Sequence, residues 1–213
     1  LSIMKAAWQR DLFSVLPHRS VGIAHGAVST RRKIIAGDYE FVVINYDGIL
    51  TVLDELIAAN FDMIISDEAN YLKNVATHRW KAFHKLAKAS PRVVLMTGTP
   101  AVQSPVDAFG LAKIICPDRV PRFFGGWRDV VMQKITMFKY TPRPRANDIV
   151  FAALQPAIRY TKNECLDLPD MVYETRDVPL TPQQEKYYNL LKKQLLISAA
   201  GEEVSAFNAA LQM

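Results

Sequence analysis

Apolar positions recur at helical spacing through residues 4–16 and stop at Pro17, which predicts a first helix. A strand-forming run at 21–24 follows, then a helix over 30–36 closed by Gly37 and a second strand over 41–45. Residues 51–59 read as helix and 61–66 as a strand of the buried type. Residues 76–89 read as a helix with Trp80, Phe83 and Leu86 on one face, the two aromatic rings serving the core. A further apolar run at 92–96 predicts a strand, and 106–115 a helix stopped near Pro117. Strands alternating with helices of this length predict an α/β fold with a doubly wound parallel sheet.

The period weakens afterwards. Residues 121–144 mix aromatics, Gly125-Gly126 and basic residues without a clear repeat, and the segment from Tyr140 to Arg145 reads as a proline-broken basic loop in solvent, with contact to a nucleic-acid backbone as the alternative. A helix over 149–158 is expected despite Pro156. The final helix has a legible start: Thr181 caps it, Pro182 suits its first turn and Gln184 completes a capping box, with Tyr187, Leu191 and Leu195 on one face.

Candidate chemistry sits where two of these strands end. The run at 61–66 leads into Asp67-Glu68-Ala69-Asn70, and the run at 92–96 leads into Thr97-Gly98-Thr99-Pro100. In an open parallel sheet, ligands bind at the strand C-termini, so both loops belong to one site. Phosphoanhydride hydrolysis needs a carboxylate to hold a divalent ion, and a second group to orient or deprotonate the attacking water. Asp67 is the candidate metal holder and Glu68 the candidate base, which is the layout of a nucleotide hydrolase.

The residues around these loops resemble the DEAD/H superfamily of helicases and translocases, and within it the Swi/Snf-type branch of DNA translocases. Asp67 to Asn74 is similar to that branch's Asp-Glu-Ala-His box and Lys-Asn tail, with Asn70 in place of His, and Thr97-Gly98-Thr99-Pro100 resembles its motif III, with Gln103 in place of a following Asn. Leu1 to Met4 and Trp8 to Leu12 resemble the end of motif Ia and its helix, and Val42 to Asp47 resembles motif Ib. Ile158 to Lys162, with Leu168-Pro169, is similar to the basic segment leaving the first lobe, and 172–180 to a strand opening the second.

The resemblance implies a RecA-like P-loop NTPase sheet flanked by helices and truncated at both ends. Residues 1–170 would form a first helicase lobe lacking its Walker A part, and 171–213 the start of a second lobe against which the Tyr187, Leu191 and Leu195 face packs. It further implies ATP and Mg2+ as cofactors held through Asp67, Glu68, Thr97, Gly98 and Thr99. The partner it implies is DNA, double-stranded and bound without regard to sequence, met by Ser2, Asn45, Tyr46, Lys73, Asn74, Arg159 and Lys162. No glycine of the chain is followed by Lys, so no Walker A loop is present, and a fragment inactive by itself is expected. A strand-separating helicase of the same superfamily and a non-hydrolysing DNA-binding scaffold are the alternatives.

Bulk properties fit this picture. A length of 213 residues with 50% hydrophobic content supports one full domain and part of another. The net charge of +5 suits a polyanion. Cys116 and Cys165 lack metal-site spacing and read as free thiols of a reducing compartment. No apolar run reaches membrane-spanning length, so a cytoplasmic protein is expected, or a nuclear one in a eukaryote.

Overall fold

The computed structural model describes residues 4–160, 162–165 and 173–199. The chain divides into two compact units, Leu1–Arg159 and Tyr160–Met213.

The first unit is built from βαβ crossovers. A π-helical turn Met4–Gln9 runs into helix α1 (Arg10–Val15), followed by strand β1 (Val21–Ile23), α2 (Val28–Ile35) and β2 (Phe41–Val43). Then come α3 (Tyr46–Ile49), α4 (Leu53–Ala58), β3 (Ile64–Ser66), a 3-10 turn Ala69–Leu72, α5 (His78–Lys88) and β4 (Val93–Leu95). β1 pairs in parallel with β2, Val21 opposite Phe41, and β3 pairs in parallel with β4, Ile64 opposite Val93 and Ser66 opposite Leu95. Parallel strands need a long crossover between them, and α2 and α5 lie within those connections. Among the described residues the expected parallel strands form two separate pairs, each strand only three residues long.

Beyond β4 the structure is more regular than the sequence pattern. A 3-10 turn Pro105–Asp107 precedes α6 (Ala108–Ile115), and α7 (Phe124–Val131) occupies part of the stretch without a clear period. An antiparallel hairpin of β5 (Met132–Lys134) and β6 (Tyr140–Pro142) follows, so the expected basic loop begins as a strand. Helix α8 (Ala146–Ala153) starts earlier than expected and stops before Pro156, burying Ala146, Val150 and Ala153 at helical spacing.

One core joins these elements. Leu72, Trp80, Phe83, Phe109, Leu111, Trp127 and Val131 are buried in it. Trp80 and Trp127 place their indole N–H groups on the Gly110 and Pro105 carbonyls, at 2.9 and 3.3 Å, so neither ring leaves a donor unpaired. Thr77 caps α5, its hydroxyl accepting the Trp80 N–H at 3.2 Å. Thr77→Ala is expected to cost about 1 kcal/mol, read as a lower urea midpoint at unchanged slope. An unchanged midpoint would remove the cap from the account of this helix.

In the second unit α9 (Lys162–Cys165) is a single turn and α10 (Pro182–Ala199) the long element. Its capping box is present: Thr181 N–H donates to Gln184 Oε1 at 3.0 Å, and Gln184 N–H to Thr181 Oγ1 at 3.3 Å. Tyr187 and Leu191 are exposed on this helix, while the Leu195 side chain lies outside the described residues. Residues 173–180 form no strand, unlike the expectation for 172–180. Cys116 and Cys165 are free thiols. Among the described residues no helix is long and apolar enough to cross a membrane.

Candidate functional site

Hydrogen bonds continue past the ends of β3 and β4 and lock their two loops side by side. Met96 N–H donates to Ser66 O at 2.8 Å, and Ala69 N–H returns to Met96 O at 2.9 Å. This places Asp67 and Glu68 on one strand end and Thr97, Gly98 and Thr99 on the next. Both carboxylate residues are exposed. Asp67 Oδ1 accepts the Glu68 N–H at 2.9 Å, and Glu68 adopts a left-handed backbone, φ 47° and ψ 50°. A non-glycine residue there is uncommon and carries strain, and such residues cluster at functional sites. The turn is kept by Tyr71 N–H, which donates to Glu68 O at 3.1 Å.

The second loop is open. Thr97 Oγ1 accepts the Thr99 N–H and donates to Thr99 O, both at 3.3 Å, closing a small turn around Gly98. Nothing approaches within 4 Å of the position a Gly98 Cβ would take.

The segment after β2 reaches the same place. Helix α3 starts at Tyr46, whose hydroxyl lies 2.5 Å from Ser66 Oγ and donates to Asp67 O at 2.6 Å. Burial pushes the Tyr46 phenol above its ordinary value, partly offset by the Ser66 hydroxyl. Its ring meets Tyr71 and Phe83 at centroid distances of 5.9 and 6.2 Å, and the next residue, Asp47, pairs with Arg79 at 2.8 Å. The Tyr46 hydroxyl is thus spent inside the acidic turn. Asn45 Oδ1 is buried without a hydrogen-bond partner.

Lys73 and Asn74 are likewise engaged within the protein. Lys73 Nζ donates to Gln103 Oε1 at 3.3 Å and pairs with Asp107 at 3.6 Å. Asp107 Oδ2 also accepts the N–H groups of Gln103 and Ser104, at 3.0 and 3.4 Å. Asn74 Oδ1 accepts the Ala76 N–H at 2.9 Å and leads into α5. Arg159 is exposed at the end of the first unit; Ser2 and the Lys162 side chain lie outside the described residues. Ser66, Arg79 and Asp107 support these loops and are not among the site residues expected from the sequence. Asp107 had a signal, since Ser104-Pro105-Val106-Asp107 has the form of a helix start.

Among the described residues no cluster of three or more His, Cys, Asp or Glu side chains can hold a metal ion. Mg2+ bound with a nucleotide needs only one or two carboxylates, phosphate oxygens and water supplying the rest. Asp67 fits that demand: it is an exposed hard-oxygen donor with one oxygen tied to the neighbouring amide.

The structure thus sets an acidic loop and a threonine loop side by side at adjacent parallel strand ends, and the sequence shows the family. Residues 1–212 match the SNF2-related domain, and the chain belongs to that family. Over 117 residues it is 37% identical to the SWI/SNF-related matrix-associated actin-dependent regulator of chromatin subfamily A-like protein 1 of Xenopus tropicalis, covering 55% of this chain and 12% of that one. It is 34% identical over 77 residues to the DNA annealing helicase and endonuclease ZRANB3 of Mus musculus, covering 36% of this chain and 7% of that one. The Sulfolobus solfataricus SWI2/SNF2 ATPase core, solved in complex with dsDNA, shares the RecA-like fold with a TM-score of 0.58 and 24% identity, over 97% of this chain and 42% of that chain. The chain spans about a tenth of the length of the curated relatives it matches.

Proposed function

We propose that the chain is part of an ATP-dependent DNA translocase that couples Mg-ATP hydrolysis to movement on double-stranded DNA. The observation that carries this reading is the stitching of the Asp67-Glu68 turn to the Thr97–Pro100 loop through Ser66, Met96 and Ala69. Residues 1–170 would belong to a first lobe and 171–213 to the opening of a second.

Asp67 is the residue to hold Mg2+, which when bound neutralises charge on the β- and γ-phosphates. Glu68 takes the proton of the attacking water, its left-handed backbone fixing where the carboxylate starts. Thr97, Gly98 and Thr99 would help hold the nucleotide and, through the hydrogen bonds that join their loop to Ser66 and Ala69, would link it to the neighbouring loop. Lys73 contributes by tying the tail of the acidic box to Gln103 and Asp107, the segment that follows Thr97–Pro100. Tyr46 likewise acts through its hold on Ser66 and Asp67. Asn45, Asn74, Arg159, Ser2 and Lys162 remain the candidates for the DNA backbone. Cleft closure on ATP and reopening after hydrolysis would shift these contacts in turn.

The test is ATP hydrolysis by the full-length protein with and without duplex DNA, beside DNA binding at rising salt. Hydrolysis is expected to rise when duplex is added. Affinity is expected to be indifferent to sequence and to fall by about 10³-fold between roughly 50 and 200 mM salt if six phosphates are neutralised. Hydrolysis absent from the full-length protein while DNA still binds would replace the translocase with a binding scaffold.

A further inference from the structure

Helix α7 ends at Val131, and the chain then projects as the β5–β6 hairpin, Met132 opposite Pro142 and Lys134 opposite Tyr140. Its root is firmly held. Met132 is buried with its Sδ 3.6 Å from Ser104 Oγ, and Arg143 Nε donates to the carbonyls of Asp129 and Met132 at 3.1 and 3.0 Å. The Arg128 guanidinium lies 4.5 Å from the Tyr140 ring centroid. Its tip is ordered as well: the N–H groups of Ile135 and Thr136 donate to Lys139 O at 2.9 and 3.2 Å. Thr136 Oγ1 accepts the N–H groups of Phe138 and Lys139 at 3.4 and 3.1 Å.

This well-made turn displays apolar side chains to water. Phe138 is 90% exposed, Met137 70% and Ile135 54%. Holding a phenylalanine in solvent does nothing for folding, and such apolar patches mark interaction sites. The surrounding charge indicates the occupant. Residues 132–145 contain Lys134, Lys139, Arg143 and Arg145 and no Asp or Glu. Arg143 serves the root and Arg145 pairs with Asp148, whereas Lys134 and Lys139 flank the tip and make no ion pair among the described residues.

We propose that the hairpin tip is a nucleobase contact: Phe138, supported by Met137, stacks on an unpaired base of DNA while Lys134 and Lys139 neutralise the phosphates beside it. An aromatic ring and ammonium groups are the pair of features that single-strand binding uses, ring on base and charge on backbone. An unpaired base is favoured over an intact duplex step because prising a step open costs about as much as one stacking contact returns. The proposal rests on the reading that the protein works on DNA and adds an element outside the hydrolysis site.

Because Phe138 packs on almost nothing, Phe138→Ala leaves the fold intact. The experiment measures affinity of the full-length protein, without nucleotide, for a blunt duplex and for the same duplex with a short single-stranded overhang carrying 2-aminopurine. The wild type is expected to prefer the overhang and to quench the probe. Phe138→Ala should lose about tenfold in affinity on the overhang, together with the quench, and bind the blunt duplex as before. Unchanged affinity for the overhang, or equal loss on both DNAs, overturns the base contact. A defect confined to anionic vesicles or to a protein partner overturns it too. A wild type that binds neither DNA refutes the DNA reading itself, which keeps the two failures apart.

Discussion

Glu68→Gln in the full-length protein is expected to lower the turnover of ATP hydrolysis by about 10²- to 10⁴-fold, the usual contribution of a positioned general base. Nucleotide and DNA binding should persist. The substitution is nearly isosteric, the side chain is exposed, and the left-handed turn is held by backbone groups that Gln keeps, through Tyr71 N–H and Ala69 N–H. Glutamine still orients water but cannot accept its proton. Single-turnover kinetics with a nucleotide-binding measurement separate the two effects. A loss under about tenfold would take the base role from Glu68, and a loss of nucleotide binding would make it a binding residue instead.

The pairing of the two candidate-site loops was legible because its signal is local: strand-forming runs ending in Asp67-Glu68 and Thr97–Pro100 say where the loops lie whatever packs around them. The supports of that site were not legible, because each joins residues distant in sequence. Lys73 has the composition of a phosphate contact, yet its ammonium closes on Gln103 and Asp107, about thirty residues away in the chain. The family resemblance implies a DNA contact for Tyr46, whereas its ring is packed against Tyr71 and Phe83. Helix α7 escaped the periodic reading because Gly125-Gly126 occupy its first turn and only Trp127 and Val131 are buried, one i,i+4 pair. The hairpin escaped because each strand is only three residues long and its connecting turn carries Ile135, Met137 and Phe138, exposed and apolar where turns favour polar residues. That violation of the pattern is what singles the tip out as functional.

Gly110→Ala is expected to be the most damaging small substitution, costing about 3 kcal/mol or more, at the upper end of what overpacking brings. Gly110 lies in α6 where the helix presses on the tail of the acidic box. A Cβ there would stand 2.2 Å from Leu72 O, 2.5 Å from Lys73 O and 2.7 Å from Lys73 C. All three atoms are backbone, so no rotamer change relieves the clash, and α6 must withdraw or residues 72–73 must move. Withdrawal would break the Trp80 indole bond to Gly110 O. Movement of residues 72–73 would pull on Lys73 and on the turn carrying Asp67 and Glu68. The loss should therefore appear twice in the full-length protein, in the denaturation midpoint and in hydrolysis by the molecules that stay folded. Gly125→Ala is the control, since nothing lies within 4 Å of its added Cβ and alanine suits a helix better by roughly 0.5–1 kcal/mol. If both alanines behaved alike, the close seating of α6 on the acidic box would be wrong. If Gly110→Ala unfolded the chain more easily yet hydrolysed at the wild-type rate, the contact would serve stability without positioning the site.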